Sequence, residues 1–187
     1  THMHYSSSAW DVYAPGNILK KLDTANITRA LVSSTPDAGT MKLFDIAPGR
    51  VVPGLRPYRT RADMARWYEI PAVLAYSKTR LASGHHKALG EIHLYLPKNV
   101  ETPEMAEYLD MAVARGLIIQ PHTDAPVVEA LFRMRPNLKI LWAHAGFSEP
   151  APVVARMLDQ YPNLWAELSY RATEIHPDDK LDPEWKA

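Results

Sequence analysis

Short β-branched or apolar runs alternate along the chain with helix-length amphipathic stretches, the pattern of repeated βα units around a parallel sheet. The pattern predicts strands over Thr28–Ser33, Arg50–Leu55, Ala88–Leu94, Leu117–His122, Lys139–His144 and Leu164–Tyr170, with a clipped first strand over Thr1–Tyr5. Met105, Leu109 and Val113 recur at spacing four and leave Glu104, Glu107 and Asp110 for solvent, so Pro103–Arg115 reads as a helix packing one face and ended by Gly116. Pro150–Gln160 and Val127–Met134 behave alike, each closing near a Pro-Asn pair, and Pro71–Leu81 carries its Pro in the first turn.

Seven such strands suit either an open doubly wound sheet or a closed barrel. A full (β/α)₈ barrel usually takes about 250 residues and at least about 200. The polar residues decide, because four runs place His or Glu at or near the strand end where a barrel carries its chemistry. The expected fold is therefore α/β, a (β/α)₈ TIM-type barrel incomplete at about strands one to seven. Neither tandem repeat nor linker interrupts it, so residues 1–187 read as one domain.

Composition narrows the function. Lys+Arg and Asp+Glu both number 21, so the formal charge is zero, which argues against a nucleic-acid partner or a polybasic membrane anchor. No apolar run approaches the roughly 20 residues of a membrane segment. With no Cys, any metal must be held by His and carboxylates. The chain opens at Thr1 rather than Met, and Asp182-Pro183-Glu184-Trp185 starts a helix just before Ala187, so truncation at both ends is expected. Uncovered sheet edges would then favour a homo-oligomer.

The candidate chemistry is a His-rich rim. His2 and His4, one residue apart on an extended strand, share a face and could grip one ion. Glu91 interrupts an apolar strand with His93 on the same face, and a buried carboxylate needs a cationic or metal partner. His122 and His144 close two further runs, each followed by a turn and an N-cap candidate, Asp124 and Ser148. Any one of these can be a structural residue; five on four strands sharing one rim point to a metal site. His85-His86 reads as solvated loop, and His176 lies in the polar loop Glu174–Lys180.

Thr-His-Met-His, Gly-Glu-Ile, Gln-Pro-His-Thr-Asp and Leu-Trp-Ala-His-Ala-Gly-Phe, on strands one, four, five and six, together resemble the amidohydrolase superfamily of metal-dependent barrel hydrolases, in its amidohydrolase-related branch. The resemblance implies His2, His4 and His122 as metal ligands. It makes His144 a second-metal ligand or a catalytic group that meets the substrate, and puts Glu91 where some relatives have a bridging glutamate. It implies one or two divalent ions, zinc first and manganese or iron as alternatives, and a small-molecule substrate. Arg56, Tyr58, Arg59, His93, Tyr170 and Arg171 are the substrate-facing candidates. The superfamily's strand-eight Asp has no counterpart, since Asp178, Asp179 and Asp182 read as loop and cap residues, so poor turnover by this segment is expected. Hydrolysis of an ester, lactone or amide bond is the leading expectation. Metal-dependent decarboxylation and a non-catalytic scaffold are the alternatives.

Overall fold

Helices begin where a proline or a capping side chain removes the need for backbone partners. In the computed structural model, which describes residues 1–186, the helix Pro103–Arg115 starts with the Thr102 hydroxyl accepting the Met105 N–H and stops at Gly116, whose φ of 64° closes the last turn. Its buried stripe is Met105, Tyr108, Leu109 and Ala112. Val113, expected on that face, is exposed, because a stripe three and four residues apart turns away from it.

Seven strands form one parallel sheet in chain order: β1 His2–Met3, β2 Ala30–Val32, β3 Val51–Leu55, β4 Ala88–His93, β5 Ile118–His122, β6 Lys139–Trp142 and β7 Leu164–Ala166. The connections carry α1 Pro15–Thr24, α2 Ala38–Ile46, α3 Pro71–Leu81, α4 Pro103–Arg115, α5 Ala125–Met134 and α6 Ala151–Gln160, and α7 Ala172–Ile175 follows β7. The fold is thus the expected α/β partial barrel. Several strands are shorter than their apolar runs, and β6 gives way at Ala143 to a turn in which His144 has φ 58°. Asp182 accepts the Glu184 N–H at the start of a final single turn. Ala187, the last residue of the expected domain, lies outside the described residues.

Strand β4 is buried along its whole length. It pairs with β5 through a register shift between Gly90 and Ile92 that re-aims Glu91. Gly90 is required there: at φ 153°, a Cβ would stand 2.5 Å from the Gln120 carbonyl oxygen. The main core runs from Leu55 to Leu164 and includes Trp67, Tyr108 and Trp142, while a smaller cluster around Tyr5, Ile18, Leu22 and Leu43 seats α1 and α2. The sheet curls far enough that His2 of β1 and Glu167, one residue past β7, meet at 3.1 Å. No helix among the described residues is long and apolar enough to cross a membrane.

Candidate metal centre

At the carboxyl end of the sheet, a cleft is lined by His2, His4, Glu91, His93, His122 and His144, with Phe147 and Tyr170 at its lip. Glu91 is its hub. One carboxylate oxygen lies 2.8 Å from His4 Nε2 and 3.1 Å from an Arg56 nitrogen, and the other lies 2.7 Å from His122 Nδ1 and 3.1 Å from His144 Nε2. Burial alone would raise the Glu91 pKa. The hydrogen bonds from His122, His144 and His4 outweigh it and hold the carboxyl well below the usual carboxylate range. Ionised Glu91 is therefore compatible with its near-complete burial.

Backbone carbonyls set how the imidazoles face the cleft. His4 Nδ1 lies 2.5 Å from the Ser33 carbonyl and His144 Nδ1 lies 2.9 Å from the Ser169 carbonyl, which turns Nε2 of each ring toward the Glu91 carboxylate. Burial opposes protonation of His144, but Glu91, the Ser169 carbonyl and Glu167 together raise its pKa above the ordinary histidine value. His93 differs. The Tyr58 hydroxyl accepts its backbone N–H at 2.8 Å and lies 3.0 Å from its Nδ1. Burial drives the tyrosine pKa up, so the phenol keeps its proton and donates it to Nδ1, leaving His93 with Nε2–H. Burial lowers the His93 pKa to about 4, and that ring stays neutral.

These groups fit a divalent ion by donor chemistry. Two groups, His2–Glu91–His144 and Glu91–His93–His122, bring nitrogen and oxygen atoms within 4.8 Å of one another and share the carboxylate, and in the second the Tyr58 bond leaves His93 no free lone pair. Glu91, His122 and His144 lie together at the rim, and His2 and His4 stand beside them with ring centroids 5.4 Å apart; His4 is in neither group, and His2 and His122 fall in different ones.

The substrate-facing candidates divide. Arg56 touches Glu91, and with Tyr58 and Arg59 it lines a neighbouring pocket of about 560 Å³ that opens from His4. Arg59 also forms a two-pronged pair with Asp63 at 2.9 and 3.0 Å. Tyr170 lies exposed at the cleft lip. Arg171 does not face the cleft: its buried guanidinium bonds Glu174 and the carbonyls of Ala145 and Glu149, and it packs over Trp185. The N-cap expectations also shift. Ser148 donates to the Asp124 carboxylate, neither side chain caps a helix, and α6 is preceded by Pro150. His86 is buried rather than solvated, with Nε2 3.0 Å from Asp37, which also pairs with Arg80.

Glu167 is the site residue that the sequence reading passed over. Its carboxylate contacts His2, accepts the His144 backbone N–H at 2.7 Å and accepts the Ser169 N–H at 3.0 Å. Burial would raise its pKa, but His2 and those two N–H groups bring it down to about 2. The signal was available: a glutamate one residue past an apolar run, the same signature that marked the other strand ends.

A seven-stranded partial barrel with a His and Glu cleft at its carboxyl mouth defines a class, and sequence comparison agrees with it. The amidohydrolase family model matches residues 82–187, and the chain belongs to that family. Among solved structures it is similar to a probable 2-pyrone-4,6-dicarboxylic acid hydrolase from Acinetobacter baumannii with citric acid bound. The TM-score is 0.58 at 13% identity, covering 90% of this chain and 68% of that one. No curated protein matches the chain.

Proposed function

We propose that this chain is a metal-dependent hydrolase that directs a metal-activated water at an ester, lactone or amide bond of a small carboxylated substrate. The observation that carries the reading is the convergence of His4, His122 and His144, from three strands, on the single carboxylate of Glu91, with His2 within 4.8 Å of it. His2, His4 and His122 with Glu91 would hold the ion, zinc by donor type with manganese or iron also served by this set. When bound, such an ion lowers the pKa of its water towards about 7 and polarises a carbonyl.

The protein's own groups do the rest. His144, buried with Nδ1 held at the Ser169 carbonyl, directs Nε2 into the cleft as the proton acceptor. His93 presents Nε2–H as a neutral donor to a substrate oxygen. The pocket beside His4 supplies Arg56, Arg59 and Arg61 with the hydroxyl residues Ser6, Ser7 and Ser8, and among the described residues no carboxylate lines it. That lining suits a carboxylate, which the dicarboxylic acid substrate and citrate of the similar structure also carry.

The test is metal content by elemental analysis with turnover of ester, lactone and amide panels. His4→Ala and His122→Ala should lose the metal, whereas His144→Ala should retain it and lose roughly 10²–10⁴-fold in rate. Full metal in His122→Ala would refute the ligand set. Release of carbon dioxide from an unsaturated acid in place of hydrolysis would replace the reaction with decarboxylation.

A further inference from the structure

We infer that Glu167 is a positioning residue that fixes the ring orientation and tautomer of His2 and anchors His144, so that one carboxylate serves both a ligand and the proton acceptor. The inference rests on the metal reading above and adds a residue to it.

The geometry separates positioning from catalysis. Glu167 is absent from the lining of the cleft and stands behind the rings. One of its oxygens lies 3.1 Å from His2 Nδ1, 3.5 Å from His144 Nδ1 and 2.7 Å from the His144 backbone nitrogen. The other accepts the Ser169 N–H at 3.0 Å, and Ser169 supplies the carbonyl that holds His144 Nδ1–H. A carboxylate can only accept, so His2 must present Nδ1–H to it, which leaves Nε2 with the lone pair. His2 Nδ1 is buried and its 3.1 Å approach to Glu167 is off the line of a hydrogen bond, so the carboxylate acts on it as a close negative charge. Without Glu167, nothing else described would select that tautomer. The arrangement also joins the two ends of the strand order, because His2 precedes β1's only other residue and Glu167 follows β7. Carboxylates placed behind ligating imidazoles in this way raise ligand basicity, and their loss typically costs about 10–100-fold in metal affinity.

The test uses long-range ¹H–¹⁵N correlation of the histidine rings in the metal-free chain, together with zinc affinity by competition against a chromophoric chelator. Wild type should show neutral His2 protonated at Nδ1. Glu167→Ala should move His2 toward the Nε2–H form and weaken zinc about 10–100-fold. Glu167→Gln keeps an acceptor oxygen without the charge and should fall between. Wild-type His2 found as Nε2–H would overturn the inference with no variant needed, as would unchanged ring signals and zinc affinity in folded Glu167→Ala. If wild type binds no zinc while the His2 signals respond as stated, the metal reading fails and the positioning role stands.

Discussion

Replacing Glu91 by Gln in the metal-free protein tests the hub directly. The carboxylate side chain is 4% exposed and its Arg56 partner 12% exposed, so the variant leaves a largely buried guanidinium without its counter-charge. Breaking a buried pair by removing one partner costs about 3–5 kcal/mol. Arg56 keeps its bond to the Glu91 backbone carbonyl at 3.1 Å, which argues for the lower end, about 3 kcal/mol. For a chain of this size that corresponds to a melting point lower by about 6–12 °C. The pH dependence sharpens the expectation. The folded Glu91 pKa is depressed below its ordinary 4.5, so its contribution is present above that pH. Below it, the unfolded wild type takes up a proton that the folded protein refuses, and the advantage over the variant falls by about 1.4 kcal/mol per unit. The raised His144 pKa acts in the opposite sense, adding stability below 6.5 that is lost as pH rises through the folded value. The wild-type advantage should therefore peak between 4.5 and 6.5 and decline on both sides. Urea denaturation with chelator present, at half-unit steps from pH 3.5 to 8, measures it. Equal stability at pH 6, or a difference flat across the range, would refute the assignment of charge to Glu91.

Other expectations follow from the packing. Gly90→Ala places a methyl against the Gln120 carbonyl at an unfavourable φ, and should cost about 2–5 kcal/mol by urea midpoint, from overpacking and backbone strain together. Trp142→Phe removes the indole bond to the Thr123 carbonyl at 2.7 Å and leaves that buried oxygen unpaired, for about 1–3 kcal/mol on the same assay. The His93 ring should titrate by NMR near pH 4, and a midpoint above 6 would show that burial does not govern it. Tyr58→Phe should cost about 1–3 kcal/mol by orphaning the His93 N–H.

What could be read in the sequence was whatever local signals set. The bounds of α3 and α4 match expectation because a proline opens each and Gly116 closes the second. Helices α1 and α2 escaped notice: α1 buries only Ile18 and Leu22, and α2 buries Gly39 and Thr40 beside Leu43, so neither shows a broad apolar stripe. His122 and His144 were legible because each closes an apolar run, Glu91 because it interrupts one, and His2 and His4 by their spacing. Partners distant in sequence were not. His86 reads as loop until Asp37, 49 residues earlier, is found beside it, and Arg171 reads as substrate-facing until the Ala145 and Glu149 carbonyls are seen to engage it.

The meeting of His2 with Glu167 also bears on the order in which the molecule assembles. Glu91 and His122 close a loop of 31 residues, whereas His2 and Glu167 close one of 165. The entropic cost of the longer closure exceeds that of the shorter by about 1.5 kcal/mol, before any strand contact offsets it. A β1 of two residues brings few backbone bonds to that task. The contacts around β4 and β5 should therefore form ahead of the β1 contact, so changes at His2 should speed unfolding while leaving the folding rate nearly unchanged.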